Sequence, residues 1–166
     1  ASDNTCCCTN TGTSALHLAI QSITKPGDEI LVPSFTYVAT YQAITAAGCV
    51  PISCDIDPDT FLLDLKDAVK RITPKTKALV YVQYASNTGD LNSLYSFGKQ
   101  YNMRIVEDAA HAFGCTYNGN KIGSFGDIVC FSFDGIKNIT SGEGGAIVTK
   151  DEDVLSFARD ARLLGV

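Results

Sequence analysis

Short apolar runs alternate along the chain with segments in which apolar residues recur every three or four positions. Leu16, Ala19 and Ile23 share one helical face, whereas Ile30 to Val32 form a continuous apolar run that is typical of a buried strand. The pattern predicts helices at 13–24, 37–47, 63–72, 91–101 and 151–164, and strands at 5–8, 29–32, 50–54, 78–82, 104–107, 128–133 and 146–149. The glycine-spaced segment 113–126 is predicted to be a loop with a short hairpin.

The order of these elements predicts an α/β fold. Strands that alternate with helices form a mostly parallel sheet with helices on both faces, so we expect a three-layer α/β/α domain. The chain contains no internal repeat, low-complexity tract or linker, and residues 1–166 are therefore interpreted as one domain. Ligands of such sheets gather at the carboxyl ends of the strands, so the residues that follow the strands are the candidates for function.

Composition and charge narrow the classes of function. The chain has 166 residues, 45% hydrophobic and 19% charged, as in an ordinary globular domain with one core. Its net charge of −5 argues against nucleic acid as a partner, and no apolar run is long enough to span a membrane. The N-terminal residues do not resemble a signal peptide, and the seven cysteines lack zinc-ligand spacing. We therefore expect free thiols, no metal site and a cytoplasmic location.

Two residues near predicted strand ends are candidates for covalent catalysis. Lys137 follows an apolar strand in a loop of small residues, and a deprotonated lysine amine can condense with an aldehyde. Asp108 ends another apolar strand, and its carboxylate could keep a pyridine nitrogen protonated. Taken alone, Lys137 would more often be a solvated surface charge, and Asp108 could equally be a turn or N-cap residue.

A phosphate site is indicated at the start of the first helix. Gly12, Thr13 and Ser14 open this helix, and the free amides and dipole of a helix N-terminus attract anions. Ser132, five residues before Lys137, could offer its hydroxyl to the same phosphate. An ordinary Ser/Thr helix cap is the alternative interpretation of the Gly12–Ser14 segment.

Two ring-bearing residues could flank a flat heteroaromatic ligand. Tyr37 begins a predicted helix and could stack on such a ring. His111 stands three residues after Asp108 and could cover the other face of the ring or bond its oxygen. The alternative for both residues is ordinary structural packing.

Several motifs occur in a fixed order from about Thr9 to the end of the chain. They are GTSALHL (12–18), PGDE (26–29), PSFTYVAT (33–40), DIDPDT (55–60), EDAAH (107–111), GSFGD (123–127), SFDGIKN (132–138) and GEGG (142–145). On these motifs the chain resembles the DegT/DnrJ/StrS family of sugar aminotransferases, which depend on pyridoxal 5'-phosphate (PLP). The resemblance implies the aspartate-aminotransferase-like fold of this class, fold type I.

The resemblance also implies a role for each candidate residue. Lys137 would form the Schiff base with PLP and shuttle a proton, and Asp108 would pair with the pyridine nitrogen. Tyr37 would stack on the ring, and His111 would lie near its other side or its hydroxyl. The phosphate would be bound by Gly12, Thr13, Ser14 and Ser132.

The activity that the resemblance implies is amino transfer. An amino acid, typically glutamate, would give its amino group to a keto group of a nucleotide-linked deoxysugar. One branch of the family has histidine at the position of Lys137 and carries out dehydration, so lysine favours amino transfer. Asp134 and Gly135 stand where many members have an aromatic residue or histidine followed by proline, which leaves the preferred sugar open.

Members of the family are much longer than 166 residues. We therefore expect residues 1–166 to be an incomplete PLP-binding large domain that lacks an N-terminal segment and the C-terminal small domain. A homodimer is expected for the full-length protein. The alternative is a PLP-binding fragment or a non-catalytic family member that acts as a sensor or scaffold.

Overall fold

A seven-stranded sheet forms the centre of the fold in residues 5–163, the part of the chain that this computed structural model describes. Its strands are β1 (Thr5–Thr9), β2 (Glu29–Pro33), β3 (Val50–Cys54), β4 (Thr76–Val82), β5 (Arg104–Asp108), β8 (Ile128–Ser132) and β9 (Gly145–Thr149). A separate hairpin consists of β6 (Thr116–Tyr117) and β7 (Asn120–Lys121). The helices are α1 (Gly12–Ile23), α2 (Val38–Ala46), α3 (Leu65–Lys70), α4 (Leu91–Gln100) and α5 (Glu152–Ala161).

The sheet is mostly parallel, as the sequence predicts. Its strand order is β1-β9-β8-β5-β4-β2-β3, and the five strands from β8 to β3 are parallel to one another. Strand β9 runs antiparallel to both β8 and β1. The register aligns Val82 with Asp108 and Asp108 with Cys130, so the ends of three central strands lie side by side.

Helices cover both faces of the sheet and give it two cores. One core packs α1, α2 and α5 against the sheet through residues such as Ile20, Ile44 and Leu155. The other packs α3 and α4 against the opposite face through residues such as Ala68 and Leu94. The predicted three-layer α/β/α architecture is confirmed.

Side-chain caps fix where the helices begin. Asp64, Asp90 and Asp151 each accept hydrogen bonds from amides in the first turn of α3, α4 and α5, respectively. The predicted helix 63–72 is too long, because Leu63 pairs with Ile56 in an antiparallel bridge before the helix starts. The predicted helix 151–164 begins one residue later and ends at Ala161, and residue 164 lies outside the described part of the chain.

The remaining structural expectations concern the hairpin, the thiols and the membrane. The hairpin predicted within 113–126 is present as β6 and β7. All seven cysteines are free, and the four that are buried are Cys7, Cys49, Cys54 and Cys130. No helix within residues 5–163 is long and apolar enough to cross a bilayer.

Candidate active site

A cavity of about 570 Å³ opens at the carboxyl edge of the sheet. It is bounded by the segments that follow β1, β2, β4, β5 and β8, where parallel strands leave room for ligands. Seven of the eight predicted site residues line it: Gly12, Thr13, Tyr37, Asp108, His111, Ser132 and Lys137. The structure thus brings together residues that are separated by up to 125 positions in the chain.

The start of α1 and the end of β8 approach each other closely on one side of the cavity. A methyl group at Gly12 would lie 2.7 Å from the Cβ of Ser132, so glycine is required for this approach. Thr11 caps α1 by accepting a hydrogen bond from the Ser14 amide at 3.0 Å. The amides of Gly12 and Thr13 come before this capped amide at the helix N-terminus, and together with the Ser132 hydroxyl they suit a phosphate.

Ser14 is the predicted site residue that the cavity lining does not include. Its hydroxyl oxygen accepts a hydrogen bond from the Thr11 hydroxyl at 3.0 Å, which leaves the Ser14 proton available to another acceptor. Ser14 therefore lies directly behind Thr11, which itself lines the cavity. Its assignment as a phosphate ligand stays a prediction.

Asp108 ends β5 with its carboxylate almost completely buried, at 6% exposure. Thr40 donates a hydrogen bond to Asp108 Oδ2 at 3.0 Å, and the Ala110 amide donates to Oδ1 at 3.2 Å. Burial raises the pKa of Asp108 above its ordinary value, and these two donors and the positive charge of Lys137 offset part of this effect. A buried carboxylate with so few donors has a strong attraction for a positive charge in the cavity.

His111 is held in a defined protonation state by a turn that follows β4. The Ala85 amide donates a hydrogen bond to His111 Nδ1 at 3.2 Å, so Nδ1 is an acceptor and the ring proton is on Nε2. Burial lowers the pKa of His111, and the positive charge of Lys137 acts in the same direction. A neutral His111 can therefore donate from Nε2 to an oxygen in the cavity.

The turn that supports His111 has an unusual backbone. Ala85 and Ser86 have φ values of 50° and 68°, a left-handed conformation that costs about 1–2 kcal/mol in a residue with a side chain. Such conformations persist where surrounding contacts impose them, and they are common at functional sites. Here the Ser86 hydroxyl donates to the carbonyl oxygen of His111, which fixes the turn to the segment that follows β5.

Aromatic side chains form one wall of the cavity. Tyr37 is the N-cap of α2 and is 75% exposed, so its ring is free to stack on a ligand. Phe35 and Tyr84 also line the cavity, with their ring centroids 4.9 Å apart in an edge-to-face arrangement. The ring of Tyr84 lies 5.9 Å from that of His111, which extends the aromatic wall towards the end of β5.

Lys137 lies in the loop between β8 and β9. The loop is ordered by a turn in which the Lys137 amide donates to the Asp134 carbonyl at 3.0 Å. The Asp134 carboxylate accepts from the Ile136 amide at 3.0 Å, and Asn138 donates from its side chain to the His111 carbonyl at 2.9 Å. These contacts place Lys137 close enough to Asp108 and His111 to influence the pKa of both residues.

Several cavity residues are absent from the set of candidates predicted from the sequence. Thr40 is the most important because it contacts Asp108 directly. Its position three residues after Tyr37 in a predicted helix places both on one helical face, and this spacing could have identified it. Other lining residues outside the predicted set include Thr36, Tyr84, Asp134, Ile136 and Glu143.

The groups that line the cavity can be compared with the parts of PLP. The cavity combines a lysine amine, a carboxylate that is buried without an ion pair among residues 5–163, an exposed aromatic ring, and a helix N-terminus that only glycine allows to approach Ser132. These groups match the aldehyde, the pyridinium, the ring and the phosphate of PLP. An α/β/α domain with this site at the carboxyl edge of its sheet defines the class of PLP-dependent transferases of fold type I.

Comparison with known proteins agrees with this class. The chain belongs to the DegT/DnrJ/EryC1/StrS aminotransferase family, which it matches over residues 2–166. It is 44% identical over 158 residues to the GDP-perosamine synthase of Caulobacter vibrioides, covering 95% of this chain and 43% of that protein. It is 43% identical over 142 residues to the GDP-perosamine synthase of Escherichia coli O157:H7, covering 85% of this chain and 39% of that protein.

Solved structures show the same relationship. S. venezuelae DesV is 37% identical and superimposes with a TM-score of 0.93 over 97% of this chain and 44% of its own. Bacillus subtilis NtdA with the bound cofactor PMP is 32% identical and has a TM-score of 0.85 over 92% of this chain and 35% of its own. The chain thus spans less than half the length of each of these relatives.

The family, the fold class and the cofactor that the sequence predicts are confirmed by these comparisons. The roles of the individual site residues stay predictions, since they follow from the geometry of this chain and from the resemblance.

Proposed function

We propose that this chain carries the PLP-binding portion of an aminotransferase that moves an amino group from an amino acid to a keto group of a nucleotide-linked deoxysugar. The observation that carries the proposal is the placement of Lys137 and Asp108 on one cavity, with the N-terminus of α1 and Ser132 at its side. Residues 1–166 are interpreted as an incomplete large domain of this enzyme, to which an N-terminal segment and a C-terminal small domain would be added.

The binding roles follow from the groups that line the cavity. The phosphate of PLP would be held by the backbone amides of Gly12 and Thr13 and by the Ser132 hydroxyl. The dipole of α1 would add to the attraction. Tyr37 would stack on one face of the ring. His111, whose Nδ1 is occupied by the Ala85 amide, would donate from Nε2 to the ring oxygen or cover the other face.

Proton transfer is the part of the chemistry that this chain's own residues would carry out. PLP, when bound, supplies an electron sink that stabilises negative charge on the carbon from which a proton is removed. The Asp108 carboxylate would keep the pyridine nitrogen protonated, because a proton between them is stabilised by the buried negative charge. The side-chain nitrogen of Lys137 would accept a proton from one carbon and return it to another.

The sugar substrate is proposed from the relatives. Two GDP-perosamine synthases are 44% and 43% identical to the chain, whereas DesI, solved in the presence of its TDP-sugar product, is 36% identical. We therefore propose a GDP-linked keto-sugar as the amino acceptor and an amino acid, with glutamate as the first choice, as the donor. A screen of nucleotide-linked keto-sugars measures which sugar is accepted and which of its carbons is aminated.

A homodimer is proposed for the whole protein. Large apolar side chains are exposed around the cavity mouth, among them Tyr37, Val38 and Ile136, with exposures of 75%, 55% and 88%. A second copy of the protein that covers this region would remove these side chains from water.

A cytoplasmic location is proposed because all seven thiols are free.

Absorption spectroscopy with added PLP tests the binding part of the proposal. The intact protein is expected to develop a new band in the near-ultraviolet or visible range, which Lys137→Ala abolishes. Lys99→Ala, in the last turn of α4, is the matched control and should leave the band unchanged. Borohydride reduction followed by mass spectrometry of peptides should locate the bound cofactor at Lys137, and labelling of another lysine would contradict the assignment.

Turnover separates the enzyme from a PLP-binding fragment, sensor or scaffold. Glutamate should change the spectrum of the loaded protein, and a GDP-linked keto-sugar should then restore it with release of an aminated sugar. Binding of PLP without either change would favour the non-catalytic alternative. Turnover with a TDP-linked sugar in preference to the GDP-linked one would contradict the proposed acceptor class.

A further inference from the structure

Two threonines connect the rim of the cavity with the buried end of Asp108. Thr36, which is half-buried in the segment after β2, lies with its hydroxyl oxygen 2.9 Å from that of Thr40. Thr40, in the first turn of α2, is 1% exposed and donates to Asp108 Oδ2 at 3.0 Å. Both threonines line the cavity, so the chain Thr36–Thr40–Asp108 is part of its wall.

The direction of this chain follows from counting protons. An ionised carboxylate only accepts hydrogen bonds, so the single hydroxyl proton of Thr40 must point to Asp108. Thr40 then has only lone pairs to offer, and Thr36 must be the donor in the contact between the two hydroxyls. When Asp108 is negatively charged, both hydrogen bonds form with Thr36 donating to Thr40 and Thr40 donating to Asp108.

We propose that Thr40 is a positioning residue that, with Thr36 behind it, holds the Asp108 carboxylate ionised and aimed at the ring nitrogen of the cofactor. This inference rests on the proposed function, in which Asp108 faces that nitrogen. It adds a requirement that the proposed function does not contain, namely a hydroxyl at position 40.

Other groups around Asp108 define what Thr40 contributes. His111 and Lys137 face the carboxylate from the cavity, Cys130 faces it from β8, and Glu107 precedes it on the opposite face of β5. His111 is neutral by its contact with Ala85, so the donors that offset burial directly are the Thr40 hydroxyl and the Ala110 amide. Since the Ala110 amide belongs to the backbone, Thr40 is the donor that a substitution can remove.

Four variants test the proposal in the intact protein. Thr40→Val keeps the shape of the side chain and removes the hydroxyl, and Thr40→Ser keeps the hydroxyl. Thr36→Val removes the second donor without touching Asp108. Thr45→Val is the matched control, because Thr45 is an exposed residue of the same helix whose hydroxyl bonds only to the carbonyls of Tyr41 and Gln42.

The first readout is the pKa of Asp108 in the protein without cofactor. It is measured by carbon NMR of labelled aspartate during a pH titration, and Asp108→Asn assigns the signal. Thr40→Val should raise this pKa by about one unit, the order of one hydrogen bond to a charged group. Thr36→Val should raise it less, and Thr40→Ser and Thr45→Val should leave it close to that of the unmodified protein. This readout does not require PLP to bind.

The second readout is the dissociation constant for PLP, from an absorbance titration. Thr40→Val should weaken binding about tenfold, Thr36→Val should weaken it less, and Thr40→Ser should restore it. Equal losses in Thr40→Val and Thr40→Ser, or an unchanged pKa of Asp108 in Thr40→Val, would overturn the inference. If Thr40→Val does not fold, Thr36→Val carries the test, and an unchanged pKa there has the same meaning. Failure of the unmodified protein to bind PLP would instead refute the proposed function.

Discussion

Replacement of Glu107 by glutamine is expected to stabilise the protein above neutral pH and to flatten the dependence of its stability on pH. Glu107 is only 1% exposed and lies on the face of β5 opposite to Asp108. Its carboxylate accepts hydrogen bonds from the side chains of Gln83 and Tyr95. Burial raises the pKa of Glu107 to about 7, although both hydrogen bonds act in the opposite direction.

The magnitude follows from the difference between this pKa and the ordinary glutamate value of 4.5. Between pH 4.5 and pH 7 the unfolded chain has released the Glu107 proton and the folded protein has kept it. The unfolded state binds fewer protons in this window, so the free energy of unfolding falls as the pH rises. At 1.36 kcal/mol per pKa unit the loss approaches about 3 kcal/mol, most of it between pH 5 and pH 8.

Glutamine removes the charge and keeps the polar contacts. Its oxygen can accept the Tyr95 hydroxyl, and its amide N–H can donate to the side chain of Gln83 once that amide turns over. The change in hydrogen bonding shifts the free energy of unfolding by the same amount at every pH. Any change with pH in the difference between the free energies of unfolding of the two proteins therefore reports the ionisation of Glu107.

Urea unfolding at pH 5, 6, 7 and 8 measures the effect. The variant should gain about 2–3 kcal/mol relative to the unmodified protein between the lowest and the highest pH. Glu152→Gln, at an exposed glutamate of α5, is the control and should show a difference that is nearly constant with pH. A constant difference for Glu107→Gln as well would refute the reasoning, because it would mean that Glu107 is ionised in the folded protein throughout.

Two further predictions concern the cavity and the packing of its supporting strands. Gly12→Ala should weaken PLP binding at least tenfold, because the new methyl group collides with Ser132. Gly135→Ala is the control, because its methyl group would meet nothing nearer than 3.9 Å. Equal affinities of the two variants in a PLP titration would contradict this prediction. Arg104→Lys should lower the free energy of unfolding by about 1–2 kcal/mol through loss of a bidentate carboxylate contact. Arg159→Lys, with an exposed pair at 3.8 Å, should change it by less than about 0.5 kcal/mol in the same denaturation assay.

The fold could be predicted from the sequence because each strand carries a strong local signal. Runs such as Ile30–Val32 are apolar on both sides of the backbone, as strands covered by two helical layers must be. The direction of β9 could not be predicted, because antiparallel pairing with β8 and β1 leaves no mark on an apolar run of five residues. The early start of helix 63–72 was wrong for a related reason, since the pairing of Leu63 with Ile56 is a tertiary contact.

The candidate site divides in the same way. Lys137, Asp108 and the start of α1 are in motifs that can be recognised in the sequence, and the structure brings them to one cavity. The partner of Asp108, Thr40, stands 68 positions away from it, and nothing local connects the two. The tautomer of His111 likewise depends on Ala85, 26 positions earlier, in a backbone conformation that alanine rarely adopts.

Strand β5 explains how two adjacent buried acids can serve different purposes. Side chains alternate between the faces of a strand, so Asp108 lines the cavity while Glu107 lies under α4 among Tyr95 and Gln83. The backbone amide of Gln83 donates to the Asp108 carbonyl at 3.0 Å, which holds the end of β5 against the end of β4. Burial raises the pKa of both acids, and each has its own donors that act against it, Thr40 and the Ala110 amide for Asp108 and the side chains of Tyr95 and Gln83 for Glu107. Separate sets of donors on the two faces of β5 therefore let Asp108 serve the cavity while Glu107 remains part of the core.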